Sequence, residues 1–293
     1  MFVFPLVATI VSFVFSGFVF RQYIQKRRAY QLAWSVALLM FGIASLTETI
    51  ATAGAWNELL VKTWYLFGAM LVVGYLGVGS LYVADPKTAS RLLIIGVVLT
   101  MVGPILPMVI FSKTATSAEK LQTGLIFAVI SVALIALARL WDRAGTVWLA
   151  TMIAASAASI AMLAKAQVNA AEVAAKGWEA MDRSLMMKAT VASINTLGSV
   201  ILIGGALYSG WVLWRKNIMR ERAVGSILIG AGALINAGGG FIHGFFQIAG
   251  PAVLSISLTL GITVMFLGFL ETGRQSSPAA APPPAETRPR TTA

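Results

Sequence analysis

The sequence predicts an all-α, polytopic membrane protein, a bundle of about nine transmembrane helices with its N-terminus outside and its C-terminus inside. The chain of 293 residues is 58% hydrophobic and 11% charged, whereas a soluble domain carries about 25% charged residues. Its apolar runs are about 20 residues long, enough for a helix to cross a hydrocarbon core of roughly 30 Å. The runs do not alternate with period two, so helices are expected rather than barrel strands.

Short polar or glycine- and proline-containing turns separate the predicted spans. The spans cover residues 2–20, 30–53, 63–83, 91–111, 121–140, 145–164, 190–213, 223–246 and 252–271. Together, residues 1–273 are expected to form one helical bundle. Residues 274–293 are rich in Ser, Ala, Pro and Thr. Such a composition cannot bury an apolar face, so a disordered cytoplasmic tail is predicted there.

The predicted orientation follows from where the basic residues lie. With the N-terminus outside, 15 of the 22 Lys and Arg residues fall in cytoplasmic segments, as the positive-inside rule requires. Those residues are Arg21, Lys26, Arg27, Arg28, Lys87, Arg91, Arg139, Arg143, Arg215, Lys216, Arg220, Arg222, Arg274, Arg288 and Arg290. The net charge of +11 is therefore interpreted as a topology signal, and nucleic acid is not an expected partner.

An outer polar segment at about 165–189 is expected to be largely helical. The pairs Glu172/Lys176 and Glu179/Arg183 have the i,i+4 spacing that stabilises an exposed helix. The sixth span should then project beyond the membrane and turn near 177–184. Two roles stay open, a solvated loop or a lid over a ligand.

The fourth span contains a predicted helix break at Pro104 and Pro107, next to Gly103. Each proline removes a backbone donor and clashes with the preceding turn. A broken helix can line a substrate path, although a packing kink is the commoner outcome.

Few polar side chains lie inside the predicted spans, and these are the candidate ligand- or ion-binding residues. Glu48 lies in the second span, Asn195 in the seventh, and Asn236 and His243 in the eighth. Glu48 and His243 follow basic turns by similar lengths, so both should lie near the outer interface. They could face each other across a vestibule and bind a cation or pass a proton. The alternative is that each is wetted by the outer headgroups or simply caps its helix end.

Glycine spacing and a weak internal repeat give further indications of how the helices pack and whether the protein is a transporter. Gly205/Ser209 and Gly240/Gly244 have the small-xxx-small spacing that lets membrane helices approach closely. Spans 1–3 and 7–9 share a layout that would make a parallel repeat, as some transporters have. Chance similarity between alternating helices is the alternative.

Several catalytic classes lack their residues. The chain has no cysteine and one histidine, which excludes thiolate metal sites, bis-histidine haem and the HExxH motif. Nucleophile-elbow and Walker A motifs are missing as well. No catalytic residue, metal site or cofactor is predicted, and an enzyme is the less favoured class.

Four stretches resemble a group of uncharacterised bacterial multi-pass membrane proteins. They are RRAYQLAWSVALLMFGIASLTE (27–48), WYLFGAMLVVGYLGVGSLYV (64–83), NTLGSVILIGGALYSGWVLWR (195–215) and MFLGFLE (265–271). The resemblance implies a bacterial cell (inner) membrane, and it transfers no functional residues. The expected partners are the lipid bilayer and an unknown small solute or membrane protein.

The leading functional hypothesis is transport or permeation of a small solute or ion. The predicted kink, the glycine-rich eighth span and the possible repeat support it. The alternative is a membrane sensor, scaffold or accessory subunit without catalysis, for which the outer segment and the basic tail are suited.

Overall fold

The computed structural model describes residues 2–216, 220–241 and 251–273. In that part of the chain nine helices are long and apolar enough to cross a membrane. They are α1 (Val3–Lys26), α2 (Ala29–Ala53), α3 (Glu58–Val83), α4 (Pro86–Phe111), α5 (Ser117–Leu140), α6 (Ala144–Lys165), α7 (Leu185–Arg215), α8 (Arg220–Phe241) and α9 (Pro251–Gly273). The described residues contain no strand beyond an isolated bridge between Val168 and Met181. The predicted all-α polytopic bundle is confirmed.

The outer surface of the bundle is apolar, as a lipid-facing surface must be. Ile10, Leu99, Val129 and Ile153 are between 47% and 67% exposed, and they belong to four different helices. A soluble monomer rarely exposes apolar patches of more than a few hundred Å². The surface therefore indicates an integral membrane protein.

Several helices begin at polar capping residues rather than at the edge of the apolar run. The side chains of Asn57, Asp85, Thr116 and Ser184 each accept a hydrogen bond from a backbone amide in the first turn of α3, α4, α5 and α7. Such caps satisfy amides that have no partner within the helix. These four helices consequently start about five residues before the predicted spans, because the polar residues that precede each apolar run also belong to the helix.

The turns lie at two ends of the bundle. We call the end with turns 54–57, 112–116 and 166–184 the Trp178 end. The end with turns 27–28, 84–85 and 141–143 is called the Arg27 end.

Helix α3 is the most buried span and packs closely against α7. A Cβ atom added at Gly198 would lie 2.6 Å from the Val73 carbonyl oxygen, and one added at Gly77 would lie 3.3 Å from the Gly198 Cα. The two backbones therefore touch, which is the arrangement that small residues permit in membrane helices.

Helices α8 and α9 also touch through glycines. A Cβ atom at Gly225 would lie 2.6 Å from the Gly268 carbonyl oxygen, and one at Gly261 would lie 2.6 Å from that of Gly232. The two contacts are seven residues apart on each helix, so the antiparallel pair meets every second turn. Close packing in the eighth span therefore involves Gly225 and Gly232. A Cβ atom at Gly240, from the predicted Gly240/Gly244 pair, would meet nothing within 4 Å among the described residues, and Gly244 lies outside them.

Two spans contain turns of π-helix. One covers Tyr65–Leu71 within α3, and the other covers Met101–Ile105 within α4 and includes Pro104. The α-helix resumes at Leu106–Phe111, with Pro107 near its start. A π-helical turn absorbs an extra residue and changes which backbone groups are paired, so α4 passes both prolines without ending.

The polar segment between α6 and α7 corrects the sequence-based expectation. Helix α6 ends at Lys165, and only the short turns Val173–Lys176 and Gly177–Ala180 are helical before α7 begins. The pair Glu172/Lys176 does form, at 2.9 Å. The prediction of a largely helical segment over 165–189 was therefore wrong. The local helical preference is weak, and the contacts made by buried Val173, Ala180 and Met181 outweigh it.

Asp85 gives a pH-dependent prediction at the Arg27 end. Hydrogen bonds from the Thr88 side chain and backbone amide hold the pKa of this exposed carboxyl below its ordinary value. A lowered folded-state pKa means that the cap stabilises the protein above the ordinary value of about 4 and loses that effect as the pH falls through the folded value. We expect Asp85→Ala to lower the melting temperature at pH 7, with a difference from wild type that shrinks below about pH 4. Thermal scans between pH 3 and 7 would measure it, and a difference independent of pH would contradict it.

Candidate functional site

The Glu48 carboxyl lies between three helices near the Trp178 end. On α2, it accepts a hydrogen bond from the Trp64 indole Nε1 of α3 at 3.3 Å. Its other oxygen accepts one from the Ser255 hydroxyl of α9. Both donors are neutral, and Glu48 forms no ion pair among the described residues. Within the part of the chain that the structure describes, the Glu48 carboxyl is therefore held by hydrogen bonds from uncharged groups.

Aromatic rings pack on Trp64, the indole donor to this carboxyl, at the Trp178 end. The ring of Trp178 stacks on that of Trp64, with centroids 5.7 Å apart and planes at 17°. Trp56 meets Trp64 edge-on at 6.3 Å. The Arg183 guanidinium lies 4.9 Å from the centre of the Trp178 ring, a cation–π geometry. These groups form a layer from Glu48 to the surface.

Asn195 bonds to the backbone of the central helix. Its amide nitrogen donates to the Ala69 carbonyl at 2.6 Å and to the Val191 carbonyl at 2.9 Å. Ala69 belongs to the π-helical turn of α3, where the regular pairing of carbonyls changes. Indole donors from Trp148 and Trp34 reach the Gly74 and Leu76 carbonyls of the same helix at 3.0 and 3.1 Å. These side chains join α2, α6 and α7 to α3.

Asn236 and His243 are placed differently. The Asn236 side chain packs against Gly261 of α9, and its carboxamide oxygen is buried without a hydrogen-bond partner among the described residues. His243 lies outside the described residues, so its pairing with Glu48 stays a prediction. Ser255, twelve residues further along the chain, bonds to Glu48.

The π-helical turn of α4 lies apart from Glu48. Buried Ile105 packs with Phe127 and Ala189, whereas a Cβ atom at Gly103 would meet nothing within 4 Å. Ile105, next to Pro104, thus makes the apolar contact of α4 with α5 and α7, whereas Pro107 is exposed. The structure does not bring these prolines together with Glu48.

Sequence reasoning missed the partners of Glu48, although one had a signal. Glu48 and Trp64 lie at equal distances along the chain from Trp56, in the turn between α2 and α3. Antiparallel neighbours at equal distances from a turn lie at one depth, so Trp64 could have been found. Ser255 and Trp178 come from distant segments and had no such signal.

The chemistry open to this arrangement is uptake of a proton or a small cation by one carboxyl. The described residues contain no group of three or more potential metal ligands. Comparison of the chain with protein-family models, curated proteins and solved structures found no match.

Proposed function

We propose that this membrane protein transports or permits permeation of a small solute or ion, and that Glu48 binds the proton or cation involved. The supporting observation is a carboxyl between α2, α3 and α9 whose two donors among the described residues are both neutral. A partly buried carboxylate with no cationic partner among the described residues is less favourable than one in water, and binding a proton or a cation lowers that cost. Ionisable groups of this kind mark ion or proton pathways in membrane proteins.

The position of Glu48 suits coupling between binding and helix movement. Its two partners belong to helices that are far apart in the sequence, since Trp64 is on α3 and Ser255 is on α9. A change in the charge of Glu48 alters both hydrogen bonds together. Asn236 and His243 are further polar groups that the proposal assigns to the path. It assigns Asn195 to helix packing and leaves the Pro104–Pro107 turn outside the path. The proposed setting is a bacterial cell membrane, N-terminus outside and C-terminus inside.

A sensor, scaffold or accessory role is the second candidate. The observation that favours it is the use of Asn195, and of Ile105 in the α4 π-helical turn, in packing between helices. A protein that only binds a partner needs a firmly packed bundle and no pathway. It would bring about no solute flux of its own.

Flux through proteoliposomes tests the proposal. The purified protein would be reconstituted, and proton, Na⁺ and K⁺ fluxes followed with trapped fluorescent dyes. We expect flux above that of empty liposomes and at least a tenfold fall in Glu48→Gln, which keeps the shape of the side chain and removes its charge. Glu58→Gln is the matched control, because Glu58 is exposed and pairs with Lys62 at 2.7 Å. Wild-type flux equal to that of empty liposomes would support the accessory role, and unchanged flux in Glu48→Gln would remove Glu48 from the path.

A further inference from the structure

Residues 166–184 form a folded unit, which we call the cover. Its two arms pair through backbone hydrogen bonds, from Asn169 to Ala180 at 3.0 Å and from Asp182 to Gln167 at 2.9 Å. Val173, Ala180 and Met181 are buried in the cluster that also contains Val61 and Trp64 of α3. An ordinary solvated loop does not contribute to a core, so the cover is fixed to the end of α3.

Gly177 sets the path of the cover over α3. Its φ of +57° is in the left-handed region, which glycine adopts without steric strain. A Cβ atom there would also lie 3.2 Å from the indole of Trp56. The backbone therefore passes directly over Trp56, and the following residue, Trp178, reaches the ring of Trp64.

Direct contacts run from the surface to the carboxyl. The Arg183 guanidinium covers one side of Trp178, the Trp178 ring stacks on Trp64, and the Trp64 indole donates to Glu48. Arg183 also lies beside Tyr65, which makes a tilted ring contact with Trp178 at 6.5 Å. Arg183, Trp64 and Tyr65 thus hold Trp178 in place next to the hydrogen bond from Trp64 to Glu48.

We infer that the cover closes access to Glu48 from the Trp178 end, and that Trp178 is a positioning residue that acts on Glu48 through Trp64. The role of Glu48 as the ion or proton site rests on the proposed function, but the closure itself does not. A proton or small cation entering from this end reaches the carboxyl when Trp178 leaves Trp64. The cover is therefore a gate for small cations.

Thiol labelling tests the closure, because the chain has no cysteine of its own. Ser255→Cys introduces one thiol beside Glu48, at a position that is 9% exposed. The variant would be placed in nanodiscs, where both membrane faces meet solvent, and treated with a charged methanethiosulfonate. We expect slow labelling in the Trp178 background, a rate at least tenfold higher with Trp178→Ala, and protection restored with Trp178→Phe, which keeps an aromatic ring.

Two comparisons separate closure from general loosening of the structure. Glu58→Cys introduces an exposed thiol at the start of α3, and its labelling rate should be the same with Trp178 or Trp178→Ala. Arg183→Gln removes the cation from the Trp178 ring without removing the ring, and should raise labelling of the Ser255→Cys thiol by a smaller factor. If Trp178→Ala does not fold, the closure is tested by comparing labelling of the Ser255→Cys thiol with and without Arg183→Gln.

Equal labelling of the Ser255→Cys thiol in all three Trp178 backgrounds would overturn the inference, as would fast labelling in the unaltered background. Labelling is measured without any flux. A protein that shows protection of the thiol but no flux would therefore contradict the proposed function and still support closure by the cover. A protein that shows flux lost in Glu48→Gln but no protection would do the reverse.

Discussion

Trp148→Ala is expected to lower the free energy of unfolding by about 3 kcal/mol, within the range for removing a buried tryptophan. Trp148 of α6 is 3% exposed and lies in the larger apolar cluster with Met152 and Ile201. Its indole also donates to the Gly74 carbonyl of α3 at 3.0 Å. The substitution removes both the packing and the hydrogen bond that join α6 to the central helix.

The reference state explains why packing dominates this effect. Membrane helices that separate remain in lipid, so association depends on van der Waals contact and interhelical hydrogen bonds rather than on escape from water. Trp148→Phe keeps most of the contact and loses only the indole N–H, so a smaller decrease of about 1 kcal/mol is expected. Circular dichroism during titration with SDS in mixed micelles would measure both variants.

Trp141→Ala is the matched control for Trp148→Ala. Trp141 lies seven residues earlier, in the turn before α6, and is 60% exposed. It should change stability by less than about 0.5 kcal/mol, as exposed substitutions usually do. Equal losses in Trp141→Ala and Trp148→Ala would contradict the central position assigned to α3.

The spans were predictable because lipid leaves the backbone no other solution. An apolar run of about 20 residues must form a helix there, since each amide needs a partner within the segment. The sequence also contains helix-start signals at the capping residues Asn57, Asp85, Thr116 and Ser184. These signals coincide with the helix boundaries that the structure shows. The end of the helix at Lys165 had no comparable local signal.

The candidate site was predictable only in part, because most of its contacts depend on how the helices pack. Glu48 stands out because a carboxyl inside an apolar run is rare, and Trp64 is its neighbour across one turn. Ser255 is 207 residues further along the chain, and Trp178 belongs to a segment whose fold depends on Trp56 and Trp64. Contacts of this kind arise from helix packing, which hydropathy does not encode.

Gly198 is a further position where packing determines the outcome, and its substitution by alanine gives the second large expected effect. A Cβ atom there would lie 2.6 Å from the Val73 carbonyl oxygen, 2.8 Å from its carbon and 3.0 Å from the Gly74 nitrogen. All three are backbone atoms, so no side-chain rotation relieves the clash and α7 must move away from α3. Overpacking of this kind costs about 1–3 kcal/mol.

Gly17→Ala is the control for Gly198→Ala, since a Cβ atom at Gly17 in α1 would meet no described residue within 4 Å. Alanine is also the better helix former by about 1 kcal/mol, so Gly17→Ala should leave the thermal stability unchanged or raise it. Gly198→Leu should exceed Gly198→Ala, because a longer side chain forces a wider separation of the helices. If Gly198→Ala melted at the wild-type temperature in the same detergent, the backbone contact between α3 and α7 would be refuted, and with it the position of Asn195, which bonds to α3 from one turn earlier on the same helix.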